Sequence, residues 1–300
     1  MKKNKIIYFA LLSLLSITIT SCKKDNASIG GFDENGASHA LFSVSLTKQV
    51  RFSKGNLQYK ASTDTWRFAE KQYDYIGTDN ENISSSYNGW IDLFGWGTSG
   101  WNSGAVCYQP WSTSTERDDY YLDGNSRNCL AGSYSKADWG VNNRISNGGN
   151  QSGMWRTLTY EEWDFLLFKS GKRVRKWAKA TIDGTIKGLV ILPDDWVLPD
   201  GVTYTSGDDG GYNTNQYSLS QWSIMEGAGA IFIPAGGLRV GSEMDNTYSV
   251  GTFGTCWSST ASDSSVPGDP YAMRFDGDML YTGNAPGYTG RFVRLVQDAE

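Results

Sequence analysis

The chain has 300 residues, four cysteines, one histidine and a formal net charge of −5. This length can bury one large hydrophobic core or two smaller ones. The acidic balance argues against nucleic acid as a partner, because binding to phosphates needs clustered Lys and Arg.

The single histidine restricts the chemistry that the chain can perform. Zinc sites with histidine ligands, Ser-His-Asp catalysis and Cys-His catalysis all need an imidazole. His39 lies in a segment that is predicted below to be a flexible stalk. We therefore predict no catalytic residue, no metal site and no cofactor in the folded part of the chain.

Residues 1–21 are predicted to be a bacterial lipoprotein signal peptide. The sequence has three lysines near its start, continues with an apolar stretch shorter than a membrane span and then reaches Ser21-Cys22. This is the order of features in such a signal. We expect Cys22 to be lipidated, and two or more acyl chains would anchor the protein firmly to a membrane. An ordinary signal peptide with an incidental cysteine is the alternative. Residues 22–40 are polar and small, which predicts a flexible stalk.

Once Cys22 is lipidated, three cysteines remain in an oxidising compartment. Cys107 and Cys129 could form a disulfide worth about 3 kcal/mol. Alternatively, both of these and Cys256 are buried thiols that pack as small apolar side chains. A fold built on disulfides would use more cysteines, so the composition favours the thiols.

A single domain is predicted over residues 41–297. Its first strands are expected at residues 41–46, 49–53, 57–59 and 65–69, where apolar positions alternate. Residues 87–150 are instead rich in Gly, Ser and Asn, and they contain Trp90, Phe94, Trp96, Trp101, Trp111 and Trp139. Disordered segments are poor in aromatic residues, so we expect ordered, irregular structure held by buried rings. A platform on which sugar rings stack is the alternative.

The clearest local signal is a capping box at Thr159 and Glu162. It predicts a helix over residues 160–169. Glu161 and Glu162 lie in the first helical turn, where capping and the helix dipole favour acidic residues. We therefore assign both to the helix start rather than to acid–base chemistry.

A tight hairpin turn is predicted at Asp183-Gly184, between strands over residues 177–182 and 185–192. A second helix is expected over residues 220–226, with Gly227 as its left-handed stop. An apolar strand over residues 228–234 is predicted to be buried on both faces.

Two charged segments have alternative interpretations. Residues 172–176 are basic, but a solvated strand or turn is favoured over a nucleic-acid patch. Asp208-Asp209 precede two glycines, where a structural Ca²⁺ ion is the alternative to solvated turn aspartates.

Several motifs together resemble a paralogous family of surface lipoproteins from Bacteroidetes and Fibrobacter. They are RFA at residues 67–69, YDYIG at 73–77, WIDLFGWG at 90–97, WRTLTYEEW at 155–163, ILPDDW at 191–196, GAIFIPAGGLR at 229–239, WSST at 257–260 and GRFVRLV at 290–296. The resemblance implies an α+β, C-type lectin-like fold of the class that includes formylglycine-generating enzymes.

Such a fold has two short helices, small antiparallel sheets, much irregular loop structure and paired N- and C-terminal strands. The resemblance therefore implies that strand 42–46 or strand 50–53 pairs with strand 292–296. The short basic-acidic run after Cys22 resembles the export signal of such lipoproteins. It implies display on the cell surface, at the outer membrane.

The ligand surface implied by this fold lies between the WSST motif and the last strand. If residues 271–275 form a strand, Met273 and Phe275 share a core face with Tyr271, and Arg274 lies on the other face. Further core residues are expected at Phe253, Trp257, Val293 and Leu295. The candidate ligand-binding residues are Arg274, Asp276, Asp278, Tyr281, Asn284 and Tyr288. This mixture is typical of adaptable binding surfaces, and an ordinary polar surface is the alternative.

These features predict a non-catalytic surface lipoprotein that binds a glycan or a protein. By the resemblance, oxidation of the formylglycine-generating type needs a pair of copper-binding cysteines, and no cysteine follows Cys256. An active or degenerate enzyme of that class is one alternative. A structural component of a surface assembly is the other.

Overall fold

The computed structural model describes residues 31–169, 176–207, 210–262 and 268–299. Within these residues the chain is a mixed α+β protein with small antiparallel sheets, few helices and long irregular connections. No helix in these ranges is both long enough and apolar enough to cross a membrane. Cys22, most of the basic segment 172–176 and Asp208-Asp209 lie outside the described residues.

The strands of the described part are short. In chain order they are β1 (Phe42–Ser43), β2 (Gln49–Phe52), β3 (Leu57–Lys60), β4 (Thr65–Phe68), β5 (Arg156–Thr157), β6 (Trp177–Ile182), β7 (Ile186–Ile191), β8 (Asn215–Tyr217), β9 (Ile231–Pro234), β10 (Arg239–Val240), β11 (Glu243–Met244), β12 (Gly254–Ala261), β13 (Pro270–Phe275), β14 (Leu280–Asn284), β15 (Thr289–Gly290) and β16 (Leu295–Asp298). The helices are α1 (Trp139–Asn142), α2 (Tyr160–Asp164) and α3 (Leu219–Gly227), and α2 continues as a π-helical turn over Phe165–Lys169.

The N- and C-terminal strands of the domain pair in a sheet with the order β1-β2-β16-β5. β16 lies antiparallel to β2, with Val296 opposite Phe52. On its other side it pairs with β5, where Leu295 lies opposite Thr157. The expected pairing of the terminal strands is confirmed, with residues 50–53 rather than 42–46 as the partner.

Two further sheets separate three hydrophobic cores. The central core, between β8-β6-β7-β9 and β12-β13-β14, contains Leu189 of β7 and Phe275 of β13. The helix core contains Val190 and lies on the opposite face of the first sheet, under α3. The loop core contains Ala272 and lies on the opposite face of the second sheet, under residues 87–150. Neighbouring residues of one strand thus enter different cores, because successive side chains point to opposite faces.

The strand predictions near the C-terminus agree with these layers. Met273 and Phe275 are fully buried in the central core, as expected. The apolar strand β9 is buried along its whole length, because it too has a core on each face.

The hairpin between β6 and β7 forms at the predicted turn. Asp183 and Gly184 have φ angles of 52° and 70°, which two-residue hairpin turns require. β6 also pairs in parallel with β8, an arrangement that local sequence signals do not reveal.

α2 begins with the predicted capping box. Thr159 Oγ1 accepts the N–H of Glu162 at 3.2 Å, and the Glu162 carboxylate accepts the N–H of Thr159 at 2.9 Å. The same carboxylate accepts two N–H groups of Arg156 at 2.6 and 2.8 Å. Glu162 is therefore a structural residue that joins α2 to β5.

α3 ends differently from the prediction. Gly227 is its last residue, and the left-handed glycine is Gly229, with a φ of 96°. A Cβ at Gly229 would lie 2.6 Å from the Cβ of Ala40. The assignment of the left-handed stop to Gly227 is therefore wrong, because the chain turns two residues later, against the N-terminal segment.

The predicted stalk over residues 22–40 is wrong at its C-terminal end. Ala37 and Ala40 are 0% and 1% exposed, and Ala37 forms a β-bridge with Ser53. Asp33 accepts a hydrogen bond from Arg51 at 2.8 Å. Small side chains and backbone hydrogen bonds thus allow this polar segment to pack on the domain.

Buried rings hold the irregular region 87–150, as predicted for Phe94, Trp96 and Trp139. The indole N–H of Trp96 donates to the Ser258 carbonyl at 2.9 Å, and that of Trp139 donates to the Thr98 carbonyl at 3.2 Å. The other three aromatic residues of this set are Trp90, Trp101 and Trp111, and they stay partly exposed.

The three cysteines of the described part are free thiols, and the prediction that they are buried is confirmed for Cys107 and Cys256 but wrong for Cys129. Cys107 and Cys256 are buried, and Cys129 is partly exposed.

Candidate ligand-binding site

The predicted ligand-binding residues lie on the hairpin of β13 and β14 or just after it, but they do not form one surface. Arg274 and Tyr281 are directly paired across the two strands. Asn284 pairs three positions further along β14. Because side chains alternate along a strand, Asn284 lies on the face opposite to Arg274 and Tyr281.

Two more of the predicted residues, Asp276 and Asp278, form the hairpin turn. Asp276 Oδ1 accepts the backbone N–H groups of Asp278 and Met279, each at 2.8 Å. The turn also touches a second turn, because a Cβ at Gly211 would lie 2.6 Å from the Gly277 carbonyl oxygen. Only glycine allows this close approach, which forms one wall of the cavity described next.

Two adjoining cavities of about 330 and 410 Å³ flank the hairpin turn, and we call them together the hairpin groove. Aromatic rings, hydroxyl groups and charges of both signs line it. The residues that define its chemistry are Lys187, Tyr212, Tyr248, Phe253, Asp276 and Asp278.

Internal contacts hold the aromatic wall of the hairpin groove. The ring centroids of Tyr248 and Phe253 are 4.6 Å apart. The hydroxyl of Tyr212 donates to the Thr252 carbonyl at 2.9 Å, and burial raises the pKa of this phenol above its usual range. Lys187 Nζ lies 5.7 Å from the centroid of the Tyr212 ring. The wall is therefore present before any ligand arrives.

Sequence reasoning missed Lys187, Tyr212 and Tyr248 as candidate residues. They lie on β7, in the turn before β8 and in the loop after β11, far from the hairpin in sequence. Phe253 was predicted as a core residue, and it is 3% exposed while it also contributes to the groove. No short motif links these positions, since only the pairing of distant segments brings them together.

Arg274 is the predicted residue with the most unusual surroundings. Its guanidinium carbon lies 5.4 Å from the centroid of the Tyr281 ring, and its Nη1 lies 3.4 Å from the Tyr281 hydroxyl. Its Nε and Nη2 groups are buried without an acceptor in the described ranges, and Oδ1 of Asp269 is buried without a donor there. A buried polar group without a hydrogen-bond partner costs about 1–3 kcal/mol of free energy. A ligand group that bonded to Arg274 or Asp269 would remove this cost and would therefore bind favourably here.

Positively charged side chains surround Arg274 and Asp269. Asp269 accepts a hydrogen bond from Arg117 at 2.7 Å. Arg291 donates to the Thr255 hydroxyl at 2.7 Å and lies 5.1 Å from the centroid of the Trp257 ring. Burial raises the pKa of Asp269, and the neighbouring guanidinium groups, that of Arg117 foremost, oppose this shift. Three guanidinium groups therefore act on this one carboxylate.

Asn284 and Tyr288 lie away from the hairpin groove. Asn284 is exposed, and its Nδ2 is 3.3 Å from the Ser262 hydroxyl. Tyr288 is partly exposed in the loop before β15. Tyr271, which the strand pattern excluded from the site, stacks on Tyr160 of α2 with the centroids 4.1 Å apart.

Cys256 lies in the central core and is 0% exposed. Burial raises the pKa of its thiol to about 12. A thiolate is the reactive form of cysteine, so this side chain is an inert packing residue at neutral pH.

No family model, no curated protein and no solved structure matches this chain. What the site binds is therefore inferred from its own residues.

Proposed function

We propose that this chain is a cell-surface lipoprotein whose single domain binds a glycan or a protein without catalysis. The hairpin groove is the observation that carries the proposal. Its two cavities, of about 330 and 410 Å³, are within the size range of ligand sites in proteins, roughly 300–1,000 Å³. Two of the predicted ligand-binding residues, Asp276 and Asp278, line it.

The chemistry of the groove suits a ligand with hydroxyl or amine groups. The carboxylates of Asp276 and Asp278 can accept hydrogen bonds, and Lys187 can donate them. Tyr212 and Tyr248 provide rigid apolar area with polar tips, which is typical of binding surfaces. Arg274 and Tyr281 pair across the two strands of the same hairpin but do not line the groove.

A C-type lectin-like fold is part of the proposal. The pairing of β2 with β16 closes the domain as that fold requires, and the capped helices α2 and α3 pack on small antiparallel sheets. The buried Cys256, whose thiol pKa is raised to about 12, supports binding rather than copper-dependent thiol chemistry.

Anchoring through a lipidated Cys22 would keep this domain near the membrane. Because residues 31–40 pack on the domain, the stalk can include only residues 22–30. A fully extended segment of that length spans about 30 Å. We propose that the ligand is met close to the outer leaflet.

The proposal is tested by probing arrays of glycans and of surface proteins with the purified full-length chain. Asp276→Asn with Asp278→Asn removes both charges, while the amide oxygen introduced at position 276 keeps the acceptor that closes the hairpin turn. We expect this double variant to bind at least about tenfold more weakly, because charge-assisted hydrogen bonds are roughly twice as strong as neutral ones.

Asp195→Asn is the matched control. It makes the same chemical change in an exposed turn that does not line the groove, and it should bind like the wild type. The proposal fails if no glycan or protein binds, or if the double variant and the control bind equally well.

A further inference from the structure

A second cleft, of about 490 Å³, lies between the β3-β4 hairpin and residues 99–143. We call it the tryptophan cleft. The residues that matter to its chemistry are Tyr59, Asp64, Trp66, Gln109, Trp111 and Asn142. Among the described residues it shares no lining residue with the hairpin groove, so the two can be tested separately.

Aromatic rings form the apolar part of the tryptophan cleft. Trp111 is partly exposed and stacks on Tyr59, with ring centroids 6.1 Å apart and an interplanar angle of 26°. Tyr59 in turn contacts Trp66 at 4.5 Å. Both of these inner rings are nearly fully buried, so they support Trp111 from below while Trp111 keeps accessible area.

The backbone presents Trp111 on a fixed turn. The N–H of Ser112 donates to the Gln109 carbonyl at 2.9 Å, and Pro110 between Gln109 and Trp111 is buried. Gly100, which also lines the cleft, donates its N–H to the Tyr108 carbonyl at 2.8 Å. The backbone of residues 109–111 is thus held in place at the rim of the cleft.

Asp64 supplies a carboxylate to the lining of the cleft. One of its oxygens accepts the Tyr59 hydroxyl at 3.0 Å, which leaves the other oxygen as an acceptor. Asp64 has a left-handed backbone, with φ of 46°, a conformation that Asp and Asn adopt more readily than other non-glycine residues.

Asn142, at the end of α1, completes the polar part of the cleft. Its amide nitrogen donates to the Ser99 carbonyl at 3.2 Å, so the side-chain oxygen is fixed in orientation. The side-chain nitrogen of Asn143 donates to the same Ser99 carbonyl at 3.0 Å, so this carbonyl holds both asparagine side chains. The cleft therefore has a preformed acceptor beside its aromatic rings, which lowers the cost of binding.

From this geometry we infer that the tryptophan cleft binds a sugar ring of a neutral glycan. A pyranose has an apolar face of C–H groups and a rim of hydroxyls, which matches one accessible ring flanked by carboxylate, amide and carbonyl groups. Among the described lining residues Asp64 is the one charged side chain, so an anionic sugar would meet repulsion without a compensating cation there. The cleft volume is sufficient for a short oligosaccharide.

This inference is tested by calorimetric titration of the full-length chain with short neutral oligosaccharides of glucose, mannose, galactose and xylose. We expect at least one of them to bind. Trp111→Ala should weaken that binding about tenfold or more, whereas Trp111→Phe, which keeps a smaller ring, should recover part of the affinity. Asp64→Asn keeps the backbone conformation and should weaken binding severalfold, because the acceptor loses its charge.

Trp196→Ala is the matched control, since Trp196 is a partly exposed tryptophan that packs on Tyr204, outside the cleft. The control should bind the oligosaccharides like the wild type. Partial recovery in Trp111→Phe separates loss of stacking from loss of folding. The inference is overturned if none of the four series binds, or if Trp111→Ala binds as tightly as the wild type.

Discussion

Asp92 is a carboxylate that folding removes completely from water. Its Oδ2 accepts the N–H of Ile76 at 2.8 Å and its Oδ1 accepts Asn80 Nδ2 at 2.9 Å. Burial raises its pKa to about 7 from an ordinary value of 3.8, although these hydrogen bonds oppose the shift. Between these two values the folded chain holds a proton that the unfolded chain has released.

The sign of the resulting pH dependence follows from proton binding. A group whose pKa is higher in the folded state stabilises the fold at low pH, and this contribution is lost as the pH rises through the folded pKa. For Asp92 the free energy of unfolding should fall from about pH 4 to pH 7, by up to about 1.4 kcal/mol per pH unit. Asp92→Asn should flatten this slope, which urea unfolding at a series of pH values would measure.

A second buried carboxylate provides the comparison. Asp138 caps α1 and accepts the Thr157 N–H, and burial raises its pKa to about 6. Asp138→Asn should therefore change the slope only below about pH 6, whereas Asp92→Asn should change it up to about pH 7. Equal slopes in Asp92→Asn and the wild type between pH 6 and pH 7 would contradict the assignment to Asp92.

Sequence reasoning identified single residues well where their role is local. Thr159 and Glu162 were recognised because both halves of a capping box lie within four residues. Asp92 was not, because its burial depends on segments that the sequence does not show to be neighbours. The same difference applies to the site, where Asp276 and Asp278 were predicted while Lys187 and Tyr212 were missed.

At the scale of elements, the end of α3 shows how a local signal can be assigned to the wrong position. Gly227 is helical, and a Cβ on it would meet no atom within 4 Å. Gly229 has the left-handed backbone and is crowded by Ala40. Either glycine satisfies the sequence rule for a helix stop, and the packing of the N-terminal segment decides between them.

The two glycines form a matched pair of substitutions. Gly227→Ala should stabilise the protein by about 0.5 kcal/mol, because alanine reduces the freedom of the unfolded chain and favours the helix. Gly229→Ala should destabilise it by more than about 1 kcal/mol, because alanine is strained at positive φ and its Cβ meets Ala40. Thermal unfolding of both variants would measure the difference, and a reversal of their order would show that Gly227 carries the left-handed turn after all.

Paired elements were predicted best where a turn joined them directly. The hairpin of β6 and β7 follows from Asp183-Gly184, whereas the parallel partner β8 has no local signal, because more than thirty residues separate it from the start of β6. The π-helical turn after α2 was also absent from the prediction, since the apolar spacing of Leu166 and Leu167 fits an ordinary helix equally well.

At the scale of the whole molecule, β16 connects the layers. Leu295 is buried in the loop core, and its neighbour Val296 is buried in the central core. The strand also bonds β2 and β5, so one short segment holds the start, middle and end of the domain together. The resemblance predicted the pairing of the terminal strands, but not that the strand would serve two cores.

Leu295→Ala tests this connection. We expect a loss of about 2–5 kcal/mol in the free energy of unfolding, the usual cost of a cavity in a packed core. Leu46→Ala is the matched control, because Leu46 is 93% exposed beyond the end of β1 and should change stability by less than about 0.5 kcal/mol. Similar losses in the two variants, measured by urea unfolding, would contradict the role of β16.

The pairing of β2 with β16 also determines when the domain can fold. β2 is made early in synthesis, yet the loop closed by its pairing with β16 spans more than 240 residues. Long-range pairings of this kind are slow to form. All of these residues therefore have to emerge from the ribosome before the central core can close. For the proposed surface lipoprotein, this order of events would keep the chain open enough to be threaded through an export channel, and the compact domain would form only after the crossing.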